Sequence, residues 1–454
     1  MRFFVASLLP RRRFFLASLA GLILACAESQ PLADVRVVLP HPILPCVISN
    51  GGELLCWGTN EGGALGSLSP KIAASPVAIP TLPVGIKQVN LSGPAPCALT
   101  ESGEVWCWGI SFLTRPNNAP QAPAPFQLAA FGSNVERIVG QTETQGTFAL
   151  LKDGSVRCLH DQGCPVGLAA GDVVAGLASG VSDLWDGCAL QGSEFKCWGR
   201  NEHGQVGDGT TTHRANATLV AGISKPIARV VQTAAGRCVV HGSDQRLSCW
   251  GWNHDGQLGE STGTDLLIPT SPVGLERDVT DLSLTAGRGC AVKNSGLYCW
   301  GLLHSFSASL GLPNSGISLP TKVTMFDSVD TLVDSANGFG YCVKNAQKIT
   351  CADVQGRSAY TPESLPAQID ALTSGPCVMS AGNAYCWSFP PGDGTPAYST
   401  RAIPANDSRT WQKIFGGLNS FCVNSPAATE CWGANDQLQL GDGTDQHRGD
   451  LSVL

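Results

Sequence analysis

One short phrase recurs along this 454-residue chain: a cysteine, a few alternating residues, a turn, then Cys-Trp-Gly. It reads CVISNGGELLCWG from Cys46, CALTESGEVWCWG from Cys97, CALQGSEFKCWG from Cys188, CVVHGSDQRLSCWG from Cys238 and CAVKNSGLYCWG from Cys290. Weaker copies start at Cys342, Cys377 and Cys422, and in FALLKDGSVRCLH from Phe148 a phenylalanine takes the place of the first cysteine. Nine units result, their second cysteines (56, 107, 158, 197, 249, 299, 351, 386 and 431) standing 35 to 52 residues apart. A period in that range marks a repeat architecture, in which each unit is one small motif that buries its apolar surface against its neighbours.

Within a unit, apolar and polar residues alternate around a Gly, Asn or Ser turn, the pattern of a half-buried β-hairpin. Cysteine spacing agrees with directly opposed positions. Five of the eight intact pairs differ by 9, which leaves two residues at the tip; two differ by 10, with Gly52 or Gly103 last in a three-residue loop where a left-handed residue is needed; Cys238 and Cys249 differ by 11. Opposed residues of an antiparallel pair lie about 4.5 to 5.5 Å apart at Cα, within reach of a disulfide. We therefore expect bridges Cys46–Cys56, Cys97–Cys107, Cys188–Cys197, Cys238–Cys249, Cys290–Cys299, Cys342–Cys351, Cys377–Cys386 and Cys422–Cys431. Cys158 and Cys164, six residues apart in the unit led by Phe148, are expected to bond each other. Zinc ribbons and fingers need short C-x2-4-C knuckles, which are absent, so no metal set and no cofactor is expected. Bridges in this number imply an oxidising compartment.

The N-terminus points the same way. Arg11, Arg12 and Arg13 precede an apolar run from Phe14 to Ala25, too short to span a bilayer, that ends at Ile23-Leu24-Ala25-Cys26. This looks like a bacterial lipoprotein signal, with residues 1–25 removed, Cys26 lipidated and 26–34 left as a tether; Leu24 is larger than the residue usual there. An ordinary signal peptide cut elsewhere is the alternative. Arg12-Arg13-Phe14-Phe15-Leu16 also resembles a twin-arginine signal, so the export route stays open. The expected location is the bacterial envelope, as an outer-membrane or surface lipoprotein or a secreted form, with the lipid as the membrane attachment.

Loss of the four arginines of residues 1–25 leaves 25 basic residues against 36 acidic ones, a net charge of −11. Nucleic-acid binding draws on clustered Lys and Arg that displace phosphate counterions, so that class is excluded. A search for chemistry is nearly empty. The eight histidines are scattered, without H-E-x-x-H; GDGT at 207, 392 and 441 lacks the Lys-Ser/Thr of a phosphate loop; no G-x-S-x-G marks a nucleophile. The expectation is a chain that is not an enzyme, although a triad assembled across units is not excluded by sequence.

A second phrase follows several hairpins: WGTNEGGALG from Trp57, WGRNEHGQVGDGT from Trp198, WGWNHDGQLGEST from Trp250 and WGANDQLQLGDGT from Trp432. Together with Cys-Trp-Gly it resembles the repeat of the regulator of chromosome condensation family, in its secreted, cysteine-paired bacterial variety. The match covers about residues 35–454 and is partial where Trp108-Gly109 runs into a proline-rich loop, where Leu159 follows Cys158 and where Ser388 follows Trp387. The resemblance implies an all-β β-propeller of nine blades, or seven with two embellished units. The tryptophans are expected between neighbouring blades. GDGTTTHRANATLV from Gly207 is echoed by GDGTDQHRGDLSVL from Gly441, so Leu451 to Leu454 is expected to pair with Val35 to Leu39 and close the ring.

Function is then sought on the loops. Asn60, Asn201, Glu202, His203, Trp252, Asn253, His254, Asp255, Asn435 and Asp436 are the candidate binding residues; the bland reading of the Asn and Asp side chains is that they tie their own turns. Three functions compete: an envelope-anchored monomeric scaffold binding a protein or glycan; a secreted-type protein inhibitor of an enzyme, as a relative in this repeat family inhibits β-lactamase; and the guanine-nucleotide exchange of the family's eukaryotic members, which an exported chain has no cytosolic GTPase to perform.

Overall fold

The computed structural model describes residues 35–453 apart from 40–43, 92–95, 110–122, 141–146, 160–163, 165–167, 234, 285–286, 302–316, 325, 327, 335–339, 347, 354–361, 363–364, 373–376, 389–398, 405–409, 417–419, 426–427, 437 and 439. The signal, Cys26, the tether and the GDGT at 392 lie outside these residues. Among the described residues no helix is long and apolar enough to cross a membrane.

The described chain is all-β. It forms nine antiparallel sheets, one per repeat, each with its strands in sequence order; the first is Val35–Leu39, Cys46–Ser49, Leu54–Thr59 and Ile72–Ala78. Seven have four strands and two have three. Every expected cysteine pair is bonded, including Cys158–Cys164. In the eight hairpin pairs the Cα atoms lie 4.0 to 4.1 Å apart, closer than the expected spacing. The reason is their register. Trp57 N donates to Pro45 O and Trp198 N to Gly187 O, so the hydrogen-bonded pair is the next one out and the cysteines fall at the narrow, non-hydrogen-bonded position.

Burial differs from expectation. In six of the repeats the strand that carries the first cysteine is buried along almost its whole length: Cys97–Thr100 and Gly236–His241 expose no residue. The fifth sheet is covered on both faces, so alternation there divides residues between two cores instead of between core and solvent. Cys238 and Val240 pack with Leu258 and Trp300 toward the sixth sheet, while Val239 packs with Val206 and Trp250 toward the fourth.

The expected pairing of Leu451–Leu454 with Val35–Leu39 is not what forms. Arg448–Val453 is the fourth strand of the ninth sheet, Ser452 opposite Cys431, and Val35–Leu39 pairs with Cys46–Ser49. The first and ninth sheets each already hold four consecutive strands, so neither end has a vacancy for the other. The ninth and first units meet in another way. Gly443 N donates to Ala74 O at 2.7 Å, as Gly209 N of the fourth unit donates to Leu267 O of the fifth at 2.9 Å. Both glycines have φ near 80°, a conformation that side-chain-bearing residues rarely adopt. Leu440 and Cys431 share one core with Cys46, Cys56 and Trp57.

Candidate functional site

The four Asn loops are built alike. Asn60, Asn201, Asn253 and Asn435 are buried, and each Oδ1 accepts the N–H five residues on: Leu65 at 2.8 Å, Val206 at 2.8 Å, Leu258 at 3.0 Å and Leu440 at 2.9 Å. Each Nδ2 donates to carbonyls on the far side of the loop, Ser67 and Pro70, Thr210 and Thr212, Thr264, and Thr444 respectively. A buried carboxamide with its groups paired stabilises the loop; it is not on offer to a ligand. Of the candidate residues, these four tie the turns.

Asp208 and Asp442 of the GDGT turns act in the same internal network. Their Oδ1 atoms accept from Thr210 N at 3.0 Å and Thr444 N at 2.9 Å, and from Asn201 and Asn435 Nδ2. The tryptophans of Cys-Trp-Gly at 57, 108, 198, 250, 300 and 432 are buried, as inter-sheet packing requires.

What remains outside is a cluster where the fourth and fifth units abut. His203, two residues after Asn201, reaches Trp252 and His254, which flank Asn253; the three ring centroids are 5.9 to 6.1 Å apart. Trp252 is partly exposed and His254 exposed. His203 Nδ1 lies 2.8 Å from Asp265 Oδ2, and His254 Nε2 lies 3.5 Å from Asp265 Oδ1. Glu202 sits beside this group, 3.3 Å from Arg200 and 3.7 Å from His213. Partial burial pushes its carboxyl up, but its backbone N–H and the charges of Arg200, His213 and His203 outweigh that and hold it below the ordinary range. Asp255 N donates to Gln257 Oε1 at 3.0 Å, which fixes the turn under His254. Asn435 and Asp436 lie in the ninth unit and Asn60 in the first.

Asp265 was not among the candidates. Its place, twelve residues after the loop asparagine, is that of His213 and His447 in sibling units, whose Nδ1 atoms accept from Asn201 N at 3.1 Å and Asn435 N at 3.0 Å. Asp265 Oδ1 accepts from Asn253 N at 3.0 Å in the same manner. A carboxylate has two oxygens where the imidazole has one acceptor, so Oδ2 is left over to face His203.

No family model matches the chain. It is 24% identical over 299 residues to the human E3 ubiquitin-protein ligase HERC2, an alignment covering 61% of this chain and 6% of that protein. It is also 24% identical over 221 residues to the ultraviolet-B receptor UVR8 of Arabidopsis thaliana, covering 48% of this chain and 42% of the receptor. The chain thus spans less than half the length of these relatives. Among solved structures, Prp20p of Saccharomyces cerevisiae aligns over 94% of this chain and 86% of its own with a TM-score of 0.47 and 14% identity, a loose likeness. The sequence similarities support the resemblance to the chromosome-condensation regulator repeat and a propeller fold.

Proposed function

We propose that the chain is an exported, lipid-anchored, monomeric propeller whose nine sheets close into a ring, and that it binds a protein partner without catalysing a reaction. The observation that carries the reading is the Trp252 cluster. The loop asparagines and the Cys-Trp-Gly tryptophans are consumed by the fold, whereas Trp252 stands partly exposed with His203 and His254 against it. Tryptophan with a polar rim is the composition of an interface hot spot. The internal disulfides support export, and the apolar run ending at Cys26 supports anchoring.

Affinity capture from envelope extracts with wild type and with Trp252→Ala tests this. One specific protein held by wild type and lost by the variant is the expected result; a glycan recovered in its place, or equal recovery by both, overturns it. An enzyme captured and inhibited would replace the scaffold reading with the inhibitor reading. Turnover of an envelope substrate by the purified chain would overturn both. Intact mass of the exported form, with acyl groups on Cys26, tests the anchor.

A further inference from the structure

We infer that His203, His254 and Asp265 form a binding site for a divalent transition metal, zinc by the chemistry of the donors. One ligand atom from each side chain can be chosen such that all three lie within 4.8 Å of one another. Two imidazoles and a carboxylate are a zinc set, with bonds of about 2.0 to 2.2 Å, so ligand atoms in a tetrahedral site stand about 3.3 to 3.4 Å apart. His203 Nδ1 lies 2.8 Å from Asp265 Oδ2 and His254 Nε2 3.5 Å from Asp265 Oδ1, so each imidazole faces one oxygen of the same carboxylate. Both imidazoles retain exposure, 38% for His203 and 59% for His254, so an ion can reach them from solvent.

The supports of the site are fixed. Asn253 N–H holds the carboxylate through Oδ1, and His203 N donates to Gln205 Oε1 at 2.8 Å, so two of the ligands come from loops tied by their own hydrogen bonds. Such outer partners orient ligands and raise affinity. Trp252 lies against both imidazoles, with ring centroids 6.1 and 6.0 Å away. Three protein ligands leave one tetrahedral position for water or a group from outside. The eighteen cysteines of the repeats are disulfides and offer no competing thiolate. Among the sibling loops this set arises only at the junction of the fourth and fifth units among the described residues, because only there does an aspartate at the latch position meet a histidine from the unit before.

The site is tested with metal alone, independently of any partner. The oxidised full chain is stripped with a chelator, then titrated with Zn2+ in a calorimeter and with Co2+ in a visible spectrophotometer. One ion per chain is expected. Asp265→Asn keeps the acceptor for Asn253 N–H while removing the charge, and it and His254→Ala are each expected to weaken binding at least about tenfold. His447→Ala, at the equivalent latch of the ninth unit and away from the cluster, is expected to bind as wild type does. Absence of heat and of a Co2+ band at millimolar metal overturns the inference. So does unchanged binding by a folded His203→Ala, His254→Ala double variant, or an equal loss in His447→Ala, which would mark adventitious histidine binding.

Discussion

The indole Nε1 of Trp300 donates to the backbone carbonyl of Gln257 at 2.7 Å, from one repeat into the loop of the repeat before it. Trp250 does the same to Gln205 at 2.9 Å and Trp108 to Ala64 at 2.7 Å. In all three the acceptor lies four residues after the loop asparagine, next to the residue whose N–H that asparagine holds. The carboxamide therefore sets the curl of the loop, and the curl aims a carbonyl at the next sheet. Trp198 and Trp432 follow the third and eighth units, which lack the Asn phrase, and their indole N–H groups find no acceptor among the described residues.

Tryptophan-to-phenylalanine substitutions should separate these two kinds of site. Trp300→Phe is expected to destabilise the chain by about 1 to 2 kcal/mol more than Trp198→Phe, since both lose similar volume but only the first leaves a carbonyl without its donor. Urea unfolding of the two variants measures the difference, and equal losses would count against the bond.

Asn253→Ala removes the group that aims Gln257 O. We expect a loss of about 1 to 3 kcal/mol from the unpaired Leu258 N–H and Thr264 carbonyl. Coupling with Trp300→Phe in a double-mutant cycle should exceed about 0.5 kcal/mol, although the two side chains belong to different sheets. Additive effects would show that loop and tryptophan act separately.

Much of this was legible in sequence and some was not, for physical reasons. Counting between cysteines gave the hairpins because opposed residues around a tip of fixed length must be a fixed number apart; Cys238–Cys249, with His241 N bonded to Arg246 O, has the four-residue tip that its separation of 11 demands. The exposure of those strands was misjudged, because alternation alone does not distinguish solvent from a second core; Val239 shows the difference. Asn253 and Trp252 look equivalent as polar or aromatic loop residues, and only the three-dimensional path buries one and leaves the other partly exposed. Asp265 was invisible because its partner His203 is 62 residues away, in another repeat.

His241 should make stability pH-dependent. It is buried, with Nε2 3.1 Å from Ser248 Oγ and Arg246 3.4 Å away. Burial, then the charge of Arg246, lowers its pKa, only partly offset by Asp244. The unfolded chain, with histidine near 6.5, then binds the proton more readily than the folded one, so this stability is complete above about pH 6.5 and is lost as pH falls through the lower folded value. Urea midpoints at about pH 7.5 and about pH 5 should fall further apart in wild type than in His241→Gln.

Leu440→Ala should loosen the opposite end of the sequence. Its side chain shares a core with Cys46, Cys56 and Trp57, and a truncation of this kind costs about 2 to 5 kcal/mol. Hydrogen exchange at amides of residues 44–59 is expected to accelerate, including Trp57 N–H, which Pro45 O accepts. Unchanged exchange there would mean that the ninth unit does not brace the first.

Peptide mapping of the non-reduced chain should return nine links, each spanning 6 to 11 residues. Paired Cys290→Ala and Cys299→Ala substitution should cost about 2 to 4 kcal/mol by the loop-closure account of such bridges. Links between distant units would contradict the hairpin register.

Because each of the nine disulfides among the described residues lies within a single repeat, every repeat carries its own covalent brace. A unit can be duplicated or deleted in the gene without stranding an unpaired thiol. During oxidation, too, each correct partner is the nearest one along the chain, so bridge formation in one repeat need not wait for its neighbours to dock.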